Sequence, residues 1–314
     1  MARPLRIEYP GAFYHVTARG NEQKDIFKSQ KDREKFLSYL EAATVRYSAV
    51  IHAYCLMSNH YHLLLETPHG NLSQIMKHIN SSYTTYFNVK RKRSGHLLQG
   101  RFKSILVEAD AYATELSRYI HLNPVRAGIV QAPEDYPWMS YRYYIGEGAP
   151  TWLTTDFILG YFGKSVPNAR KNYRQFVHDL IQREYVSPLL ETVASTILGS
   201  PEFVCEIQEQ HLGSKKADRD LPALRELKVK PSLQEIMEAV KKAFTGNDRE
   251  ATKAGIYLCH RYSGEKLKPI GELFHLTESG VTRSSKRFEQ KAESEERLKG
   301  LLLEIKKRLK LSIA

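Results

Sequence analysis

Over the first 125 residues the apolar positions switch between a period of two and a helical period. AFYHVTARG (12–20), rich in β-branched and aromatic residues and bounded by Gly11 and Gly20, predicts a strand. Ser29 precedes QKDREKFLSYLEAATVRY, where Phe36, Leu37, Leu40 and Ala43 recur at helical spacing. VIHAYCLM (50–57) and HYHLLLET (60–67) predict two more strands, joined by the turn pair Ser58-Asn59. After His69-Gly70, Leu72, Ile75, Met76, Ile79, Tyr83 and Tyr86 form one helical stripe. KRKRSG (90–95) is a basic loop, and RFKSILVE (101–108) a fourth strand. Asp110 is expected to cap a helix over AYATELSRYIHL, which Pro124 keeps from running much further. The order β-α-β-β-α-β plus one helix predicts the α+β class, in the ferredoxin-like split βαβ arrangement. That fold hosts many functions and settles none of them.

The pattern changes at the Gly/Pro-containing stretch GEGAPTW (146–152), a candidate linker. From about residue 165 the spacing is helical, with a polar break at HLGSKKADRD (211–220). From Pro231 come SLQEIMEAVKKAF, EATKAGIYLCHRYSG, LKPIGELFHL and a segment from Ser279 into a charged C-terminal helix. The predicted division is a mixed domain over 1–150, a helical linker or packing region over 151–230, and an all-α domain over 231–314.

Charge narrows the function. The 47 Lys and Arg residues outnumber 35 acids, a net +12, which points to a polyanionic partner, usually nucleic acid. The three cysteines lie far apart without CxxC spacing, so neither a disulfide framework nor a zinc knuckle is expected. MARPLRIEYPGAFYHV lacks the apolar core of a signal peptide, and no run reaches the roughly 20 residues of a membrane span. A cytoplasmic, nucleoid-associated protein without a membrane partner is the expectation.

Chemistry gathers at MSNHYHLLLE (57–66). Strand side chains alternate faces, so His60 and His62 point the same way, about 7 Å apart along the strand, and both imidazoles can reach one cation. The alternative is a structural or surface pair. In SRYIHLNPVRAG (117–128), Tyr119 and Asn123 share a helix face; the Asn123 amide oxygen can serve as a third ligand, with the Tyr119 hydroxyl one turn away. A core aromatic is the alternative for Tyr119. A free phenol, with a pKa of about 10, is a poor nucleophile at neutral pH. A divalent cation that polarises a phosphodiester would change that, and the chain carries no Walker motif that would bring ATP. Tyr112 is a rival nucleophile without an amide or acid at i+4, and His121 falls off the Tyr119–Asn123 face.

These motifs resemble a known family. His60-Tyr61-His62 is similar to the paired-histidine motif of the HUH single-strand DNA endonucleases. GAFYHVTARGN, MSNHYHLLLE, QGRFKS (99–104), RYIHLNPVRAG and YPWMSYRYY (136–144), in that order over residues 1–145, resemble the REP-associated tyrosine transposases. The resemblance implies Tyr119 as catalytic nucleophile and His60, His62 and Asn123 as ligands of Mg²⁺ or Mn²⁺. It also implies cleavage of single-stranded DNA near a hairpin through a 5′-phosphotyrosine. Insertion-sequence relatives often have Gln where Asn123 stands, and an aliphatic residue where Tyr61 does. Arg19, Arg101 and Lys103 are expected on the DNA backbone. YPWMSYRYY either stacks on bases or packs the extra helix.

AGIYLCHRYSGEKLKPIGELFHLTESGVTRSSKRF (254–288) follows helix-turn-helix logic. Ile270, Leu273 and Phe274 form an inward face, Gly271 permits close packing, and Val281, Ser285 and Phe288 anchor a second helix. Its opposite face offers Thr282, Arg283 and Lys286 to duplex DNA. The stretch resembles the C-terminal DNA-binding domain of the replication initiator DnaA, but SGVTRSS departs from that family's recognition pattern. The alternatives are a catalytically silent DNA-binding regulator and a replication nickase or relaxase sharing the HUH core. The chain is expected to be a monomer or homodimer.

Overall fold

The computed structural model of the chain describes residues 6–181, 183, 186–212, 231–244 and 247–309. It divides into two compact units, one running through His211 and one holding the residues from 231. The polar break expected at 211–220 lies, from residue 213 onward, outside the described residues.

In the first unit β1 (Ala12–Arg19), α1 (Gln30–Tyr47), β2 (Val50–Leu56), β3 (His60–Thr67), α2 (Leu72–Lys90) and β4 (Lys103–Val107) follow the predicted order. The sheet runs β2-β3-β1-β4 with antiparallel neighbours, the split βαβ topology. A fifth strand, β5 (Ile197–Leu198), adds in parallel to β4 and was not anticipated. At two residues it is too short to show a period.

Alternation along the strands divides the two layers. Tyr61 points toward α1 and α2: its ring meets Phe36 and its hydroxyl donates to Asn80 Oδ1 at 2.7 Å. Tyr61 thus faces away from His60 and His62, as expected. The opposite face carries Phe13, His15, Thr17 and Arg19 of β1 beside His60, His62 and Leu64 of β3. Onto it packs α3 (Ala109–Arg126), through Leu116 and Ile120 with Tyr119 at the edge of the core.

One expectation about α3 is corrected. Glu108, not Asp110, precedes the helix, because β4 ends at Val107 and the helix follows at once. Asp110 falls in the first turn, where an acid suits the helix dipole, and accepts from Tyr161 Oη at 2.6 Å. Pro124 sits in the last turn, so the helix loses little and ends two residues later.

After α3 come α4 (Tyr141–Ile145), α5 (Asp156–Leu159), α6 (Val166–His178) and α7 (Pro201–Ile207). The stretch 146–152 is a turn inside this unit: Thr154 N–H donates to the Ile51 carbonyl just beyond it. Tyr136, Met139, Tyr141 and Tyr144 of the aromatic cluster are buried against α3, so packing accounts for them.

The second unit holds α8 (Leu233–Ala243), α9 (Asp248–Leu258), α10 (Leu267–Phe274), α11 (Glu278–Ser294) and α12 (Glu296–Arg308). Ser232 and Glu235 form a capping box at the start of α8. Val281, Ser285 and Phe288 are buried as expected. Leu273 is not; it is 46% exposed, while Ile270 is buried and Leu267 and Phe274 pack partly against the core. The glycine requirement at 271 comes from the turn: a Cβ there would lie 2.5 Å from the Leu276 carbonyl oxygen. His275 turns the chain with φ +54°. Among the described residues no helix is long and apolar enough to cross a membrane.

Candidate active site

The site lies where β1 ends and β3 begins, beneath α3. The register pairs Arg19 with His60 and Thr17 with His62, and Thr17 also with Lys103 of β4. One sheet face therefore carries Arg19 and His60 in the outer row and His62, Thr17 and Lys103 in the next. The imidazole rings of His60 and His62 stand 5.1 Å apart, close to perpendicular. The Tyr119 ring meets the His62 ring edge-on at 5.8 Å. Asn123, one turn along α3, donates Nδ2–H to the Tyr119 carbonyl at 2.8 Å, which assigns Oδ1 as the remaining end of its amide. The Tyr119 ring, His60 and His62 are thus brought together, and Asn123 is tied to them through the backbone of the tyrosine.

A third histidine belongs to this cluster and was missed in the sequence. His15, one row deeper on β1, has Nε2 3.0 Å from Nδ1 of His62, with the two rings nearly parallel. Its ring also stands at right angles to that of Tyr119, at 5.9 Å. The three histidines form a ladder of increasing burial from His60 to His62 to His15. Burial pushes His15 down to about 4. Burial, with the charge of Arg19, lowers His60; burial, with the two neighbouring histidines, carries His62 well below its ordinary value. The pair is therefore neutral at physiological pH, the state in which imidazole binds a metal.

That is the test the donor set passes. Two neutral imidazoles and an amide oxygen suit a divalent cation whose other positions go to water and phosphate oxygens. Among the described residues no three His, Cys, Asp or Glu side chains are grouped as a metal cluster.

Arg19 and Lys103 make the rim basic, and both are exposed. Arg19 Nη2 donates to Gln99 Oε1 at 3.1 Å, while Arg101, also exposed, precedes β4 within reach of the charge of Arg6. Gln99 N–H in turn donates to the Arg19 carbonyl at 2.8 Å, tying QGRFKS to the end of β1. Gly20 makes the turn there, because a Cβ would lie 1.9 Å from the Lys24 carbonyl oxygen. Arg126, also missed, holds its guanidinium 5.3 Å from the centre of the Tyr119 ring. Its spacing of seven from Tyr119 was a usable signal. Tyr112 lies elsewhere, donating to Glu191 Oε2 at 3.0 Å, and His121 is buried between Tyr173 and Ser140. In the second unit Thr282, Arg283 and Lys286 are exposed together on α11.

Paired histidines on one face of this sheet, with a helical tyrosine set against them, are the arrangement that the motif resemblance implied. Residues 9–123 match the family described as transposase IS200 like. A Haemophilus influenzae protein described as a REP-associated tyrosine transposase is 28% identical over 101 residues, covering 29% of this chain. This chain spans 57% of the length of that relative. A solved structure of a REP-associated tyrosine transposase bound to a REP hairpin aligns with 50% of this chain and 93% of its own, at 18% identity and a TM-score of 0.42. The resemblance drawn from the motifs is borne out over this N-terminal segment.

Proposed function

We propose that the first unit is a metal-assisted single-strand DNA endonuclease and strand transferase acting near hairpin-forming repeats. The observation that carries this reading is the edge-on approach of the Tyr119 ring to His62, with His60 beside it on the same sheet face. The similarity of residues 9–123 to the IS200-like transposases supports it.

In this reading Tyr119 Oη bonds to the scissile phosphorus as the P–O3′ bond breaks; the phenol gives its proton to solvent, and the leaving 3′-oxygen takes one up to become a hydroxyl. The 5′ end stays on the protein as a phosphotyrosine ester of similar energy, so a later 3′-hydroxyl can reverse the step without ATP. His60, His62 and the Asn123 amide oxygen would hold Mg²⁺ or Mn²⁺. Such an ion, when bound, supplies Lewis-acid stabilisation of charge developing on the phosphate. Arg19 and Lys103 at the rim, with Arg101 before β4, neutralise backbone phosphates, which contributes affinity rather than sequence reading. The second unit binds duplex DNA through Thr282, Arg283 and Lys286 on the exposed side of α11.

The test is Tyr119→Phe, incubated with Mn²⁺ and a labelled single strand bearing a hairpin. Loss of the SDS-resistant protein–DNA adduct with hairpin binding retained is the expected result. An undiminished adduct would remove Tyr119 from the role. Tight hairpin binding by the wild type with no adduct on any repeat flanking its own gene would favour the DNA-binding regulator.

A further inference from the structure

The hydrogen bonds behind the two candidate ligands define which nitrogens are open. Asn59 Nδ2 donates to the Gln23 carbonyl at 3.1 Å, which assigns the orientation of its amide. Oδ1 is therefore the end turned to His60, 2.6 Å from its Nδ1. A carbonyl oxygen only accepts, so Nδ1 of His60 carries the hydrogen and Nε2 carries the lone pair.

The deeper pair poses the same question with two solutions. His62 Nδ1 and His15 Nε2 are 3.0 Å apart and share one hydrogen. If His15 donates, His62 must carry its own hydrogen on Nε2, and that nitrogen is closed to a cation. If His62 donates, its Nε2 lone pair is open, and the remaining hydrogen of His15 sits on Nδ1. That atom is buried and has no hydrogen-bond partner among the described residues. Nδ1 of His15 is unpaired in either arrangement, at about 1–3 kcal/mol and less when it bears the lone pair, so a cation on Nε2 of His62 is what would favour the second. A side chain kept only to fill space between Leu64 and Ile105, its partners across the sheet, would be apolar and avoid that cost.

We propose that His15 and Asn59 are positioning residues that hold the Nδ1–H of His62 and His60 respectively, so that both Nε2 lone pairs open toward one divalent cation. This rests on the metal-assisted reading above. Carboxylates and backbone carbonyls are common partners behind metal-bound histidines. A carboxylate at position 15 would bury an unpaired charge one row from the core, whereas a neutral imidazole accepts the same hydrogen bond without one. Depth also orients the ring: His15 lies almost coplanar with His62, and the Tyr119 ring closes over both.

The experiment measures Mn²⁺ affinity of the full chain by titration calorimetry for wild type, His15→Leu, His15→Gln and Asn59→Ala, with thermal melting as the control for folding. His15→Leu and Asn59→Ala are each expected to weaken Mn²⁺ binding roughly 10–100-fold, the usual effect of removing such a partner. His15→Gln, whose amide oxygen accepts at the same reach, is expected to restore most of it. In ¹⁵N-histidine-labelled wild type loaded with Mg²⁺, long-range ¹H–¹⁵N spectra should show His60 and His62 both protonated on Nδ1. A folded His15→Leu protein with wild-type Mn²⁺ affinity overturns the proposal, and so does His62 protonated on Nε2 in the loaded protein. Should His15→Leu fail to fold, the wild-type spectrum decides. Absence of Mn²⁺ binding by the wild type would overturn the metal reading itself, an outcome distinct from equal binding by wild type and variant.

Discussion

Tyr173→Phe tests how the tyrosine helix is held in place. Ser117 and His121 lie two residues before and two after Tyr119 on α3, and both are fully buried. Tyr173 of α6 donates from Oη to Ser117 Oγ at 2.9 Å and sits 2.7 Å from His121 Nδ1. Because the Tyr173 hydrogen is committed to Ser117, Nδ1–H of His121 is the donor there. His121 Nε2 then accepts from Ser140 Oγ at 2.7 Å, and Ser140 Oγ accepts the Tyr54 N–H at 2.9 Å. The chain ends at Ser117 Oγ, which donates to the Thr114 carbonyl at 2.7 Å. Every member has a partner, and the network ties α3 to α6, to β2 and to the segment before α4.

Replacing Tyr173 by Phe keeps the ring and removes one oxygen. Two hydrogen bonds go, and the buried Nδ1–H of His121 is left unpaired, for a gross cost of about 2–4 kcal/mol. Part can be recovered. If His121 moves its hydrogen to Nε2, Ser140 can donate instead to the Tyr54 carbonyl, which lies 3.3 Å away. The vacancy then faces a lone pair rather than an N–H, which places the net loss near about 2 kcal/mol. Urea unfolding of the full chain, followed by the fluorescence of Trp138 and Trp152, both in the first unit, measures it. Tyr39→Phe, at a partly exposed ring of α1, serves as control and should change stability by less than about 0.5 kcal/mol. A Tyr173→Phe loss no larger than that control would refute the reasoning.

Asp32 carries a pH signature. Burial alone would push its carboxyl up, but hydrogen bonds from Lys90, Arg91 and the Lys28 amide outweigh this and hold it at about 2 against an ordinary 3.8. A depressed acid stabilises above its unfolded value and loses that contribution as pH falls toward the folded one. Wild type should therefore lose about 2 kcal/mol more than Asp32→Asn between pH 4 and pH 2, read from melting temperatures; parallel profiles would refute it. Gly271→Ala should destabilise the second unit by about 1–3 kcal/mol in thermal unfolding, because its Cβ meets backbone rather than a movable side chain. Lys103→Ala should reduce the salt dependence of single-strand hairpin binding by about 0.7 in the log–log slope, measured by anisotropy against KCl; an unchanged slope removes it from the backbone contacts.

What could be read in the sequence follows from the length over which each signal repeats. The stripe from Leu72 to Tyr86 and the alternation of HYHLLLET run long enough for the period to stand out, and both elements are where they were expected. Ile197–Leu198 repeats nothing, and its pairing to β4 depends on a partner 91 residues away. Leu273 misled for a related reason: α10 is one short helix, and with only Leu267, Ile270, Leu273 and Phe274 apolar, its inward face is set by packing against the other helices. The grouping of His60, His62 and Tyr119 was legible from their spacing, whereas His121 needed Tyr173 and Ser140 from two other places in the chain to show its role.

His15 is the instructive omission, because its signal was present in GAFYHVTARG. Position 15 has the parity of Thr17 and Arg19, and Arg19 was already assigned to the site. Even positions Tyr14, Val16 and Ala18 are the uniformly apolar ones and are buried against the helical layer. Odd positions change from Phe13 through His15 to Thr17 and Arg19, a gradient from apolar to charged along one face. β3 runs the same gradient antiparallel, from His60 and His62 into Leu64. Two strands that lose polarity in register specify a pocket that deepens from solvent into core, and an imidazole at the apolar end of such a pocket has only another polar group of the pocket to bond to. The parity of β1 therefore pointed His15 at His62 before any coordinate did, once the strands were paired.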